Sequence, residues 1–74
     1  MIISGGRADG LEPSDIIHAI TVATGLEGEA VRNVRVLERF AFAEVPQRDV
    51  ERVIERTGGT EVRGHVLALE LART

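Results

Sequence analysis

The stretch from Asn33 to Val45 constrains the fold more than any other part of the chain. Val34 and Val36 alternate with Arg35 and Leu37, and after Arg39 the run Phe40-Ala41-Phe42-Ala43-Glu44-Val45 alternates again. Successive strand residues point to opposite faces, so this period of two predicts two half-buried strands, over 33–38 and 40–45. A connection as short as Arg39 joins them only as an antiparallel hairpin.

The flanking segments follow from their own signals. Residues 1–4 are a β-rich run ended by Gly5-Gly6, and Gly6-Arg7-Ala8-Asp9-Gly10 has loop composition. Pro13 suits the first position of a helix, and Asp15 suits the positive end of its dipole. Ile16, Ile17, Ala19, Ile20 and Ala23 recur at helical spacing, and Gly25 closes the helix in a left-handed conformation. Pro46 opens a second helix over 46–57, with Val50, Val53 and Ile54 inward and Arg48, Glu51, Arg52, Glu55 and Arg56 in solvent as an ordinary charged face. Gly58-Gly59 stops it. A short edge piece over 60–63 precedes a last strand over 65–72, on which Leu67, Leu69 and Leu71 share a face. The order is β-α-β-β-α-β, which predicts an α+β, ferredoxin-like sandwich: a four-stranded antiparallel sheet with both helices on one face.

A chain of 74 residues holds one domain, here spanning 1–74. It contains no cysteine, which excludes disulfides and thiolate metal sites. No apolar run approaches the roughly 20 residues of a membrane-spanning helix, and no secretory signal opens the chain. The basic residues are nine arginines and no lysine, and the net charge is −3. That total opposes indiscriminate binding to a polyanion, so only the placement of the arginines can favour one. Five acids, Glu12, Asp15, Asp49, Glu51 and Glu55, fall in the helices or their lead-in, while much of the arginine falls in loops and strands.

Covering one sheet face with helices assigns Ile3, Val34, Val36, Ala41, Ala43, Val45, Leu67, Leu69 and Leu71 to the inside. The alternate set, Ile2, Ser4, Arg35, Leu37, Phe40, Phe42, Glu44, Val66, Ala68 and Glu70, then faces outward. Both phenylalanines of the chain are in that outward set. An apolar patch on an uncovered sheet face marks a contact surface.

Arg39-Phe40-Ala41-Phe42-Ala43-Glu44-Val45 resembles part of an RNA-recognition-motif (RRM) signature, whose aromatics stack bases. Taken whole, the chain resembles the DbpA-type RNA-binding domain, an RRM-like domain at the C-terminus of some bacterial DEAD-box RNA helicases. The matching segments are Ile3 through Gly6-Arg7-x-Asp9-Gly10-Leu11-x-Pro13-x-Asp15-Ile16, Phe40-x-Phe42-x-Glu44-Val45-Pro46, Arg52-Val53-Ile54-Glu55, and Gly64 followed by Leu69-Glu70-Leu71-Ala72-Arg73. The resemblance implies a cytoplasmic module, cut from a longer helicase, that tethers the covalently linked helicase core to structured RNA. In the family that RNA is typically part of the large-subunit ribosomal RNA, which connects the module to ribosome assembly. The chain departs from the family at Ala8, where a lysine is usual, at Val66 and Ala68, where basic residues are common, and at Ile2, a position often aromatic in RNA-recognition motifs.

The candidate RNA-binding residues are Arg7 in its glycine-flanked loop, Arg32, Arg35 and Arg39 in the most basic stretch of the chain, Phe40 and Phe42 for stacking, and Arg63, His65 and Arg73 around the last strand. Arginine suits phosphate because its planar fork matches the anion bidentately. No Walker A loop, Ser-His-Asp order, paired-carboxylate motif or His-x-x-x-His occurs, and the reading assigns no catalysis, metal or cofactor to this chain. The alternative is a protein-interaction or self-association module using the same apolar face.

Overall fold

The computed structural model describes residues 1–71. Strand β1 (Ile2–Ser4) leads through a single turn of 3-10 helix (Arg7–Asp9) to helix α1 (Pro13–Thr24). Strands β2 (Arg32–Val36) and β3 (Phe40–Glu44) follow, then a 3-10 turn (Gln47–Asp49) and helix α2 (Val50–Thr57). The chain continues through three two-residue strands, β4 (Glu61–Val62), β5 (His65–Val66) and β6 (Leu69–Glu70).

A four-stranded antiparallel sheet has the order β2-β3-β1-β6. Its inner row runs Val36, Ala41, Ile3, Leu69 in direct register. Ile16, Ala19 and Ile20 of α1 and Val53 of α2 join Ile3, Ala41, Ala43 and Leu69 in one buried cluster, so both helices cover this face. Small Ala41 and Ala43 at the sheet centre admit the larger isoleucines from above, the alternation of large and small that dense packing needs. The molecule is thus α+β with two helices on a four-stranded antiparallel sheet, an arrangement compatible with an RRM-like fold.

Local signals act as expected in α1. Pro13 stands at the start, the Glu12 N–H donates to Asp15 Oδ2 at 2.9 Å, and Gly25 takes φ 79° while its N–H donates to the Thr21 carbonyl. The second helix starts later than its proline suggests. Pro46 is extended (φ −54°, ψ 135°), a 3-10 turn intervenes, and the α-helix begins only at Val50.

The C-terminal third departs most from the expected single strand over 65–72. Arg63 and Gly64 adopt left-handed φ values of 51° and 81°, the pair that a two-residue hairpin demands, and they fold β5 back onto β4 as a separate two-stranded sheet. The Leu67 N–H then donates to the Thr60 carbonyl, burying Leu67 outside any strand, before β6 joins β1. Val66 therefore sits on the small hairpin and not on the main sheet, and Leu71 is 52% exposed instead of inward. Arg73 and the end of the expected strand lie outside the described residues.

Candidate nucleic-acid interface

The sheet face turned away from the helices is built by three cross-strand relationships. Arg35 stands opposite Phe42, Phe42 opposite Ile2, and Ile2 opposite Glu70, which makes one row across all four strands. Ser4 is opposite Phe40 one step along. The two phenylalanine rings meet edge to face, with centroids 5.5 Å apart at 90°. Phe40 is 42% exposed, while Phe42, flanked on both sides, is half-buried.

Strict alternation assigns Arg32 to the helix side with Val34 and Val36. The structure reverses this. Arg32 is in register with Glu44 and Arg35 with Phe42, so Asn33 and Val34 together face the single residue Ala43. This extra residue is a β-bulge, and it shifts the parity of the strand. Asn33 absorbs it at φ 51°, a left-handed conformation that asparagine tolerates better than most residues. Its Nδ2 donates to Glu44 Oε2 across the strands at 3.1 Å. Arg32 and Arg35 consequently share the face that carries both phenylalanines.

Two open depressions flank the aromatic pair. One, of about 730 Å³, is lined by residues that include Asn33, Arg35, Phe42 and Glu44. The other, of about 410 Å³, is lined by Ile2, Ser4, Arg39, Phe40, Ala68 and Glu70. Among the described residues, no ion pair engages Arg32, Arg35 or Arg39. Arg32 Nε reaches only the Glu29 carbonyl, at 3.5 Å. The face therefore offers three guanidinium groups and two rings, with Glu44 and Glu70 as the acids beside them.

Other candidates from the sequence lie elsewhere. Arg7 is exposed at the end of the sheet and lines a hollow with Gly10, Leu11, Glu12, Pro13 and Val36, toward the start of α1. Its loop is stitched to the β2–β3 turn by backbone bonds from Gly5 to Arg39 (3.2 Å), Arg7 to Leu37 (2.8 Å) and Ala8 to Glu38 (3.0 Å). Arg63 donates to Asp15 Oδ2 at 2.9 Å. That hydrogen bond, helped by the Glu12 N–H, holds the Asp15 carboxyl below the ordinary aspartate value. It also raises Arg63. His65 packs its ring against Gly5, with Nε2 3.3 Å from the Ser4 carbonyl and Nδ1 3.7 Å from Asp9 Oδ1. Arg63 and His65 thus hold the small hairpin against α1 and the loop after β1. At the start of α2, Asp49 meets both Arg48 and Arg52, and among the described residues no ion pair engages Glu51 or Glu55.

Sequence periodicity missed Asn33 and the orientation of Arg32, because a bulge is invisible to a count of two. The one signal was Asn33 itself, a residue suited to left-handed φ inside an otherwise β-forming run.

Comparison with known proteins identifies the family of the chain. The family model of the DbpA RNA binding domain matches residues 1–71. A protein of Treponema pallidum (strain Nichols), described only as uncharacterized, is 29% identical over 73 residues. That similarity takes in 99% of this chain but 32% of the relative, so the chain spans about a third of that protein's length. With the family pattern running from the first strand through the last described residue, this chain belongs to the DbpA RNA binding domain family.

Proposed function

We propose that this domain binds structured RNA on its open sheet face and so directs a DEAD-box RNA helicase, to which it is linked, toward large-subunit ribosomal RNA in the cytoplasm. One observation carries the reading: Phe40, Phe42, Arg32, Arg35 and Arg39 converge on the sheet face that, among the described residues, no helix covers. Base–aromatic stacking contributes about 1–3 kcal/mol per base, and phosphate contacts by arginine add an attraction that falls with salt. A net charge of −3 is compatible with this, since five acids belong to the helical layer or its lead-in and three arginines to the opposite face. Arg7, exposed at the end of the sheet, offers a separate phosphate contact on the side of α1. A role as one module of a longer chain is in keeping with the match to only a third of the treponemal relative.

Nuclear magnetic resonance titration at low salt, with a ribosomal hairpin and with an unrelated hairpin of equal length, tests the proposal. The amides of Arg35, Arg39, Phe40 and Phe42 shift first with the ribosomal RNA, and Arg35→Glu abolishes the response. If neither RNA moves these amides, and sedimentation shows a concentration-dependent dimer lost on Phe42→Glu, the face is a self-association surface instead.

A further inference from the structure

On the helical side of the molecule, a groove of about 410 Å³ separates α1 from the small hairpin. Ala19, Val22 and Ala23 share one face of α1 and form one wall; Glu61 and Val62 of β4 form the other. The alanines leave the groove room for a larger side chain, and Val22 on its rim is 71% exposed. The Arg63–Asp15 pair ties β4 to α1, and β5 lies on the other side of β4, where His65 meets Gly5 and Ser4. The edge of β4 toward α1 is therefore open. Glu61 stands opposite Val66, between the Val62–His65 pair that closes the turn and the Thr60–Leu67 pair, whose Leu67 N–H donates to the Thr60 carbonyl. Hydrogen-bonded and open pairs alternate along an antiparallel ladder, so the Glu61 N–H and carbonyl point away from β5, and no other described residue bonds to them. Among the described residues no ion pair engages Glu61 or Arg56, which also lines the groove.

We infer that this groove binds an extended segment of a separate protein, added to β4 as a further strand and carrying one basic residue between two apolar ones. The Glu61 backbone offers one donor and one acceptor to the residue opposite, the pairing that strand addition uses. The side chain of that residue stands beside the free Glu61 carboxylate, which a lysine or arginine complements. Its two neighbours point to the other face, on which Val62 packs against the core, and fill the space over Ala19 and Ala23. A helix in the groove would leave the Glu61 donor and acceptor unpaired. A second copy paired symmetrically through the same edge would set Glu61 against its own equivalent, and a nucleic-acid backbone would bring phosphate to the same carboxylate. The groove lies on the side of the molecule away from the open sheet face, so its occupation is independent of the RNA reading.

The test is a nuclear magnetic resonance titration of the 74-residue chain with two nonapeptides, Leu-Lys-Phe or Leu-Glu-Phe between Gly-Ser-Gly flanks. The lysine peptide moves the amides of Val22, Ala23, Glu61 and Val62, slows exchange of the Glu61 N–H with solvent, and binds roughly fivefold tighter than the glutamate peptide. Glu61→Lys reverses that preference, an exchange that a merely structural role of Glu61 does not produce. Glu61→Pro removes the outward N–H without breaking a bond to β5, and it abolishes binding while circular dichroism stays unchanged. No shift with either peptide, equal affinities, a preference that survives Glu61→Lys, or a preference for the glutamate peptide that Arg56 would favour overturns the proposal. So does a shift of the groove amides on raising protein concentration alone or on adding hairpin RNA, which would give the groove to a second copy or to nucleic acid.

Discussion

The bare Cα of Gly6 lies against the Leu37 carbonyl so closely that a Cβ would overlap its oxygen, and the same Cβ would fall 2.6 Å from the Glu38 carbonyl oxygen. Both neighbours are backbone of the β2–β3 turn, which the Arg7 and Ala8 amides also hold. The loop after β1 and the turn that carries Arg39 are therefore one rigid unit. Gly6→Ala forces them apart and destabilises the domain by about 1–3 kcal/mol, read as a lower urea midpoint. An unchanged midpoint would show that the turn yields.

The arginines of the open face differ from those of α2 in what they can contact. Arg35→Ala and Arg39→Ala each reduce the slope of log affinity against log salt by about 1 in titrations with hairpin RNA. Arg56→Ala, on the exposed side of α2, leaves that slope unchanged. Phe42→Ala weakens binding by about 1–3 kcal/mol with little change in slope, since stacking releases no counterion. Equal effects from Arg35 and Arg56 would mean that the binding is not confined to this face.

Asp15 links acid stability to the Arg63 contact. A carboxyl held below its ordinary value contributes stability that is complete above that value and is lost as pH falls through the lowered one. The advantage of the wild-type chain over Asp15→Asn is therefore full at neutral pH and shrinks on acidification, from just above the ordinary aspartate value downward. Because Arg63 is exposed, raised salt diminishes it throughout. Urea midpoints for the two proteins across this pH range check the prediction, and a pH-independent difference would refute it.

Thr57, at the end of α2, is fully buried, and its hydroxyl has no hydrogen-bond partner among the described residues. A desolvated, unpaired hydroxyl costs about 1–3 kcal/mol, and valine has nearly the same shape. Thr57→Val raises stability by about 1 kcal/mol, measured by urea unfolding. A loss of stability would place an unseen partner at the hydroxyl.

Much of this molecule is determined by local rules alone. Alternation in 33–45 forces an antiparallel hairpin with both phenylalanines on one side, and Pro13 and Gly25 bracket α1 through the missing N–H of one and the left-handed φ of the other. These features depend on neighbours one to four residues away, which is the range a sequence pattern reports. The C-terminal strand resists the same reading: Arg63-Gly64 is a turn only if β4 and β5 find one another, and Leu67, buried as its alternation with Leu69 predicts, nevertheless lies outside any strand with its N–H donating to the Thr60 carbonyl.

The contents of the binding face divide the same way. Phe40 and Phe42 on β3 and Arg35 on β2 are assigned to it by parity within each strand. Arg32 reaches it only because the bulge at Asn33 breaks that parity, and Arg63 and His65 are drawn from it by partners 48 and 61 residues distant, Asp15 and Ser4. By itself the sequence determines which residues are chemically fit for RNA and which strand face each would take in a regular ladder. Tertiary structure decides which arginines remain unpaired there, because an ion pair or a bulge depends on the register of strands brought together only by folding.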